Sequence, residues 1–289
     1  MSKKLSLLNA YVELTKPRIT TLVLVTTFIG FFLGNKGIHS WPLLLITIFG
    51  AALVCAGASA LNHYLERDVD CLMLRTQNRP IPSGLISPAH AMNFGIILVL
   101  LGIIILGSMV NLLTAFLSLL TAFLYVVIYT PLKRISWFNT TIGAIPGAIP
   151  PMGGWTAATN HLDFGAWVLF AILFVWQHPH FFAIAWMCKE DYKRGGFKML
   201  PVLEPDGART FQLIKIFSIV LIPVSLLPSF MGMAGKVYFY GALAAGIMLL
   251  MVGMSLTISK SSQDAHRMLK ATVYYLPVLL FLIVMDVSF

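Results

Sequence analysis

The sequence has 289 residues, of which 58% are hydrophobic and only 11% are charged, and its mean hydropathy is +0.85. Soluble domains carry about 25% charged residues, so this composition excludes an ordinary soluble globular protein. The formal net charge of +9 is divided among short connecting segments, with no separate soluble domain to carry it, which excludes a nucleic-acid-binding protein.

Apolar runs long enough to cross a membrane recur along the chain. A spanning helix needs about 17 to 25 residues, and the pattern predicts an all-α, polytopic membrane protein in which residues 1–289 form a single domain. The fifth run contains GAIPGAIPPMGGW, whose three prolines predict a bent helix. About nine transmembrane helices are expected, at residues 19–34, 41–61, 93–111, 112–130, 138–158, 164–187, 211–232, 237–258 and 271–288.

The sequence shows no signal of export, organelle targeting or zinc binding. No small-residue cleavage site follows the first apolar run, and no long leader rich in Arg and Ser precedes it. We therefore expect a protein of the bacterial cytoplasmic membrane without a cleaved signal peptide, although a mature organellar protein would show the same pattern. The three cysteines have no CxxC or CxxH spacing, which predicts packing residues rather than disulfides or a metal site: Cys55, Cys71 and Cys188.

The basic residues are divided unevenly between the two sides of the membrane. Cytoplasmic loops retain Lys and Arg, so we expect a cytoplasmic N-terminus and, with nine spans, a C-terminal Phe289 on the opposite side. The cytoplasmic side then holds Lys3, Lys4, Lys16, Arg18, Arg67, Arg75, Arg79, Lys133, Arg134, Lys189, Lys193, Arg194, Lys198, Arg209, Lys215, Lys260, Arg267 and Lys270, and the far side holds only Lys36 and Lys236.

Two connecting segments, 62–92 and 188–210, are long, and both are expected on the cytoplasmic side. Each has acidic residues at a helix end, then basic residues, then a turn that contains Pro and Gly. Together they hold seven of the 11 acidic residues: Glu66, Asp68, Asp70, Glu190, Asp191, Glu204 and Asp206. We therefore expect any chemistry to take place at this face.

The first long segment, NHYLERDVDCLMLRTQNRPIPSG, begins where the second span is expected to end. If the helix continues, Asn62, Glu66 and Asp70 lie at i, i+4 and i+8 and point the same way. Aligned carboxylates repel one another unless a cation lies between them, and hard oxygen ligands select Mg²⁺. Arg75 and Arg79 follow, and Arg suits the oxygens of a diphosphate. The alternative is that these acidic residues are solvated and merely balance the arginines.

The second long segment, WQHPHFFAIAWMCKEDYKRGGFKMLPV, offers a further carboxylate at Asp191 and cations at Lys193 and Lys198. These side chains are candidates for metal and phosphate binding, although membrane topology alone also accounts for the basic residues. Two acidic segments imply either two metal ions or one shared diphosphate.

Other candidate residues lie near the ends of the spans. In YTPLKR, Tyr129 and Lys133 lie at i and i+4, where Tyr129 is placed to face a cationic intermediate and Lys133 a phosphate. His178 and His180 lie in an otherwise apolar span, where polar groups are costly and often functional. A contact of His180 with a large planar or metal-bearing substrate is one interpretation, and a hydrogen-bonded structural histidine is the other.

These motifs together resemble those of the intramembrane prenyltransferase superfamily, and in particular its heme-prenylating branch, the protoheme IX farnesyltransferases. The resemblance covers nearly the whole chain and rests on the spacing of Asn62, Glu66 and Asp70, on MLRTQNRP, on YTPLKR and on WQHPHFFAIAW with the later DY and MLPV. The acidic motif alone also fits enzymes that prenylate quinone precursors or chlorophyll. Glu66 stands where Asp is usual, and GGFKMLPV replaces a more usual Gly-x-Pro form.

The resemblance implies a bundle of nine helices around a central cavity, with Mg²⁺ and the head group of farnesyl diphosphate beneath two cytoplasmic catalytic loops. It also implies the reaction: the 2-vinyl group of heme b attacks the farnesyl cation, water adds, and heme O forms. A handoff of heme O to a heme A synthase or a terminal oxidase is an analogy. The lipid bilayer, heme b and farnesyl diphosphate are the expected partners.

The site residues follow from the resemblance and from the motifs. Those expected to be catalytic are Asn62, Glu66, Asp70, Lys133 and Asp191. Those expected to hold Mg²⁺ are Asn62, Glu66, Asp70 and Asp191. Those expected to bind substrate are Arg75, Arg79, Tyr129, His180, Lys193 and Lys198.

Three other functions compete with this one. A polyprenyltransferase that acts on an aromatic quinone precursor would keep the same motif and change the acceptor. A membrane transporter would need polar residues along a path through the membrane, whereas the acidic residues cluster at one face. A structural subunit of a respiratory complex would have no use for two acidic loops.

Overall fold

The computed structural model describes residues 6–287, and within this range the chain is helical, with one isolated β-bridge between Ala234 and Val287. Lys3, Lys4 and Phe289, which enter the prediction of membrane orientation, lie outside the described residues. The helices are α1 (Leu7–Leu14), α2 (Pro17–Gly34), α3 (Trp41–Asp70), α4 (Pro88–Met109), α5 (Leu112–Leu132), α6 (Asn139–Ala148), α7 (Pro150–Thr159), α8 (Phe164–Met187), α9 (Lys189–Arg194), α10 (Leu200–Leu203), α11 (Ala208–Phe230), α12 (Lys236–Ser259) and α13 (Ser262–Met285).

The predicted all-α, multi-pass membrane architecture is confirmed. Eight of the described helices are long and apolar enough to cross a membrane: α2, α3, α4, α5, α8, α11, α12 and α13. The fifth predicted span forms the helix pair α6 and α7, divided at Ile149, with Pro146 inside α6 and Pro150 opening α7. The predicted bend is therefore present, because proline lacks the N–H that would continue the helix ladder.

Three helices extend beyond their apolar runs. The second span was predicted to end at residue 61, but α3 continues to Asp70. At their starts, α4 and α13 begin several residues earlier than predicted, each capped by a serine whose hydroxyl accepts a backbone N–H: Ser87 and Ser261. Hydropathy reports only the part of a helix that lies in lipid, whereas a capped helix continues into the polar layer.

Close backbone contacts fix the helices around the polar end of α3. Gly57 of α3 faces Gly95 of α4, and a Cβ atom added at Gly57 would lie 2.6 Å from the Gly95 carbonyl oxygen. In the same way, a Cβ atom at Gly154 of α7 would lie 1.8 Å from the carbonyl oxygen of Thr27 on α2. Small residues allow membrane helices to approach this closely, so the positions of α2, α3, α4 and α7 are mutually constrained.

The connecting segments at one end of the bundle touch one another, and we call this end the loop face. It comprises Lys16, the end of α3 and the segments 71–87, 133–138 and 188–207. Backbone hydrogen bonds join them: the Lys198 amide donates to the Lys133 carbonyl oxygen at 2.7 Å. Most candidate site residues lie in these segments or in the last turns of α3, whereas Asn62, Tyr129 and His180 lie further along their helices, away from this face.

Candidate active site

The last turns of α3 carry a row of buried oxygen-bearing side chains. Asn62, Glu66 and Asp70 are 0%, 6% and 0% exposed. Because α3 is continuous through Asp70, their spacing of four residues places them along one side of the helix. The predicted continuation of the helix is confirmed. We call these three residues the oxygen ladder.

Each member of the oxygen ladder accepts a hydrogen bond from a different basic side chain. The three contacts are Lys16 Nζ to Asn62 Oδ1 at 2.6 Å, Lys133 Nζ to Glu66 Oε1 at 2.7 Å, and Arg79 Nη1 to Asp70 Oδ1 and Oδ2 at 2.9 and 2.8 Å. The cations come from the start of α2, the end of α5 and the segment 71–87. Buried charges are costly unless they are paired, and this pairing is what allows carboxylates to stay buried at the end of a membrane helix.

Lys16 is a site residue that the sequence assigned only to topology. It has a left-handed backbone with φ of 48°, directly before Pro17, and its Nζ atom also donates to the Tyr125 hydroxyl at 3.3 Å. Burial, with the Arg79 cation acting in the same direction, lowers the pKa of Lys16 to about 7. A non-glycine residue in this backbone region is uncommon and marks a position held by its surroundings. The sequence feature that could have identified Lys16 as a site residue is its position immediately before the proline that opens the first span.

The end of α5 shapes the wall beside the ladder. Residues Leu124–Tyr129 form a π-helical segment, a feature that frequently occurs at functional sites. The Lys133 Nζ atom lies 4.5 Å from the centre of the Tyr129 ring, so Tyr129 faces a positive charge already. Although burial opposes its charge, the Glu66 carboxylate raises the pKa of Lys133 above its usual value. Lys133 is therefore a permanently charged member of the site.

Asp191 joins the second long segment to the first. Its Oδ1 atom accepts the backbone N–H of Leu74 at 3.2 Å and forms an ion pair with Arg194 at 2.9 Å. Nearby, the Arg75 guanidinium lies 4.4 Å from the centre of the Tyr192 ring. These contacts hold one loop against the other, so the two acidic segments form one continuous surface.

Of the four residues predicted to bind Mg²⁺, three lie on α3 and Asp191 lies on α9, and their function as metal ligands stays a prediction. Among residues 6–287, no three His, Cys, Asp or Glu side chains converge closely enough to hold a metal ion. The structure brings Asn62, Glu66 and Asp70 together but holds Asp191 on the Leu74 amide. Each ladder side chain is engaged by a basic side chain, and Asp191 is engaged by a backbone donor and by Arg194.

The predicted phosphate-binding side chains are dispersed across the loop face. Arg79 is held by Asp70, and Arg75 is stacked on Tyr192. Lys193 and Lys198 are exposed, and Lys193 lines an open depression with Glu190 and Arg194. The structure records no contact of these two lysines with the oxygen ladder, so their function in substrate binding stays a prediction.

The two histidines of α8 have different surroundings. His178 is fully buried, its two ring nitrogens lie 2.8 Å from the Phe174 carbonyl oxygen and 3.3 Å from Thr141 Oγ1, and its ring stacks on Phe217 at 3.7 Å. His180 is partly exposed, and its Nδ1 atom lies 2.9 Å from Thr272 Oγ1. His178 therefore has the contacts of a structural residue.

His63 is a second site residue that the sequence analysis did not single out. It is 2% exposed, and neither ring nitrogen has a hydrogen-bond partner among the described residues. At 100° per residue, position 63 lies about 20° from Asp70 and about 60° from Glu66 around α3. The charges of Lys16 and Arg79 act on its ring. The sequence feature that could have identified His63 is its position next to Asn62, on the side of the helix that carries the ladder.

Comparison with known proteins agrees with this arrangement of helices and motifs. The sequence model of the UbiA prenyltransferase family matches residues 23–281. Curated relatives include a protoheme IX farnesyltransferase of Solibacter usitatus, 45% identical over 96% of this chain and 98% of the relative, and one of Salinibacter ruber, 46% identical with the same coverage. A third, from Gloeobacter violaceus, is 41% identical over 94% of this chain and 90% of its own length.

Solved structures share the fold. A structure of digeranylgeranylglyceryl phosphate synthase superposes with a TM-score of 0.82 at 17% identity, covering 98% of this chain and 99% of the other. A UbiA homolog from Archaeoglobus fulgidus, described as bound to GPP and Mg²⁺, gives 0.70 at 16% identity over 95% and 99% of the two chains. Together with the family match over residues 23–281, these similarities identify the chain as a membrane-embedded enzyme that belongs to the UbiA prenyltransferase family.

Proposed function

We propose that the chain transfers the farnesyl group of farnesyl diphosphate to the 2-vinyl group of heme b, with addition of water, to make heme O. The observation that carries the proposal is the near-full-length identity of 45% and 46% to proteins named protoheme IX farnesyltransferase. Because the chain belongs to a prenyltransferase family, we favour an enzyme over the hypotheses of a transporter and of a structural subunit.

The oxygen ladder fits a divalent metal ion by its chemistry. One amide oxygen and two carboxylates lie buried on one side of α3, and each already accepts from a positively charged side chain. Such oxygen donors are those that Mg²⁺ takes in proteins, usually shared with phosphate oxygens and water. We assign Asn62, Glu66 and Asp70 to holding Mg²⁺, with Asp191 contributing from the adjoining loop. When bound, the ion would neutralise part of the charge of the leaving diphosphate.

The three cations of the site have a second use once diphosphate is present. Lys16, Lys133 and Arg79 now pair with the ladder, and a diphosphate that shares a metal ion with the ladder would bring further negative charge to these three side chains. We propose that they turn to the phosphate oxygens when Mg²⁺ takes over the ladder. Preplaced cations that meet charge as it develops on a leaving group are a main source of catalysis, so this exchange would favour ionisation of the allylic C–O bond.

His63 completes the set of polar groups on this side of α3. Its ring has an N–H to donate and no partner among the described residues, and it lies in the field of Lys16 and Arg79. We assign this N–H to an oxygen of the diphosphate, because a buried polar group without a partner is costly and is retained where a ligand supplies one.

The chemical step then follows from the surroundings. The C–O bond breaks and diphosphate leaves with the electron pair, the terminal vinyl carbon forms a bond to C1 of the farnesyl cation, and water adds to the resulting cation. The proton that the water loses leaves with diphosphate. Tyr129 offers the face of its ring to positive charge, as it does to Lys133 at 4.5 Å. Apolar helices around the site keep bulk water from the farnesyl cation.

The enzyme would work as one domain of residues 1–289 in the cytoplasmic membrane, with the loop face toward the cytoplasm. The support is the excess of Lys and Arg on that side of the predicted topology. Farnesyl diphosphate would then reach the oxygen ladder directly from the cytoplasm, while its apolar tail and the porphyrin enter from the lipid. A heme A synthase or a terminal oxidase is proposed as the acceptor of heme O.

A competition between acceptors tests the proposal. The purified chain in lipid, with Mg²⁺ and isotopically labelled farnesyl diphosphate, would be offered heme b and 4-hydroxybenzoate together. We expect the label to appear in a product with the mass of heme O. Label in the aromatic acid alone would contradict the heme assignment and would support the quinone-precursor enzyme in its place.

A further inference from the structure

The tautomer of His180 is fixed by its partner on α13. The His180 Nδ1 atom lies 2.9 Å from Thr272 Oγ1, and the same hydroxyl oxygen lies 2.7 Å from the carbonyl oxygen of Leu269. A hydroxyl group has one hydrogen, and two oxygen atoms at 2.7 Å repel unless a hydrogen lies between them. The Thr272 hydroxyl therefore donates to Leu269 and accepts from His180. The proton of the His180 ring is on Nδ1, and Nε2 carries a lone pair.

A second contact fixes the plane of the ring. The indole of Trp176, one turn earlier on α8, stacks on the His180 ring with centres 4.9 Å apart and planes inclined by 19°. The Trp176 Nε1–H donates to the backbone carbonyl of Thr272 at 2.9 Å. Thr272 thus anchors both rings, one through its hydroxyl group and the other through its main chain.

The remaining nitrogen of His180 is available to a ligand. Nε2 has no hydrogen-bond partner among the described residues, and the ring is partly exposed. His178, two residues earlier, differs in both respects, since both of its nitrogens are engaged and its ring is fully buried. An imidazole with its N–H donated to a protein acceptor and its other nitrogen free is the arrangement that metal-binding histidines adopt.

We propose that Nε2 of His180 binds the iron of the heme substrate as an axial ligand. The inference rests on the proposed function, because it takes heme as the acceptor. His180 lies seven residues before the end of α8 at Met187, about 10 Å below the loop face at 1.5 Å per residue. The porphyrin would therefore lie in the apolar layer, at about the depth of Asn62 at the inner end of the oxygen ladder. Iron ligation would hold the porphyrin at a fixed place while one of its vinyl groups meets the farnesyl cation.

Absorption and electron paramagnetic resonance spectra of the full chain in detergent, with heme b and without farnesyl diphosphate, test this proposal. The wild-type spectrum should be that of a histidine-ligated heme. His180→Ala should change the spin state and weaken heme binding on the order of tenfold or more, and added imidazole should restore the wild-type spectrum. His266→Ala is the matched control, because that exposed ring bonds only within its own helix, to the Ser262 carbonyl oxygen.

A second variant separates ligation from folding. Thr272→Val leaves His180 in place and removes the acceptor of its Nδ1–H, so heme should bind about ten- to a hundredfold more weakly with histidine still ligated. The ligation proposal is wrong if His180→Ala binds heme with the wild-type spectrum and affinity. In that case, the proposed function still stands if the wild-type chain in the same preparation forms heme O when farnesyl diphosphate is added. A wild-type chain that neither binds heme nor forms heme O would overturn both.

Discussion

Lys133 and Glu66 form a buried ion pair at 2.7 Å across 67 positions of the sequence, with side chains 13% and 8% exposed. The pair joins the end of α5 to the end of α3. It also gives the oxygen ladder one of its three cations, so the same contact serves the fold and the proposed chemistry.

The two contributions of this pair can be separated by substitution. Lys133→Met leaves the Glu66 carboxylate buried without a partner, and loss of one partner of a buried pair costs about 3–5 kcal/mol. The double variant Glu66→Leu with Lys133→Met removes both charges, so we expect its thermal unfolding temperature in detergent to return toward the wild-type value while prenyl transfer stays lost. Arg134→Met, at the exposed neighbouring position, is the control. Recovery of prenyl transfer in the double variant would contradict the assignment of Glu66 and Lys133 to the active site.

Lys16 is predicted to act on the leaving diphosphate. Lys16→Met should lower kcat/KM for farnesyl diphosphate on the order of 100-fold, the typical loss for one preplaced donor at a developing charge. Arg18→Met changes an exposed basic residue of the same segment and should have little effect. Steady-state kinetics of both variants test this prediction. If Lys16→Met lowers kcat/KM no more than Arg18→Met does, Lys16 contributes to membrane topology alone.

His63 should contribute to activity and not to stability. Because its ring nitrogens have no partner in the structure, His63→Phe removes no hydrogen bond and places an apolar ring in a buried position. We expect an unchanged or higher unfolding temperature together with a higher KM for farnesyl diphosphate. A variant that is more stable and fully active would show that His63 is only a packing residue.

Adjacent glycines on α7 give a direct test of the helix packing. A Cβ atom at Gly154 would lie 1.8 Å from the Thr27 carbonyl oxygen, whereas one at Gly153 meets no atom within 4 Å. Gly154→Ala should therefore destabilise the contact between α2 and α7. Gly153→Ala should be neutral or stabilising, by up to about 1 kcal/mol from helix propensity. Thermal unfolding of the two variants in the same detergent measures the difference, and equal stabilities would contradict the packing described.

The sequence predicted those features that follow from local spacing. Apolar run length located the membrane helices, the prolines near residue 150 predicted the bend, and the i, i+4, i+8 rule placed Asn62, Glu66 and Asp70 on one side of α3. Each of these depends on residues within a few turns of one another.

The partners of the ladder could not be predicted in the same way. Lys16 reaches Asn62 across 46 positions, and its charge was equally well explained by membrane topology. Asp191 binds a backbone N–H of Leu74, and every residue except proline has such a donor, so no residue type marks the contact. The ion pairing of Arg79 with Asp70 likewise depends on how the segment after α3 folds back on the helix.

The most direct test of the account is heme O formation by Asp70→Asn. Membranes that contain the protein, Mg²⁺, heme b and farnesyl diphosphate would be analysed by chromatography and mass, with Asp68→Asn as the control because Asp68 is 75% exposed and two residues from the ladder. We predict heme O from the wild type and from Asp68→Asn, and none from Asp70→Asn or after addition of a chelator. Heme O from Asp70→Asn at the wild-type rate would contradict the central claim that the ladder holds the metal and the diphosphate.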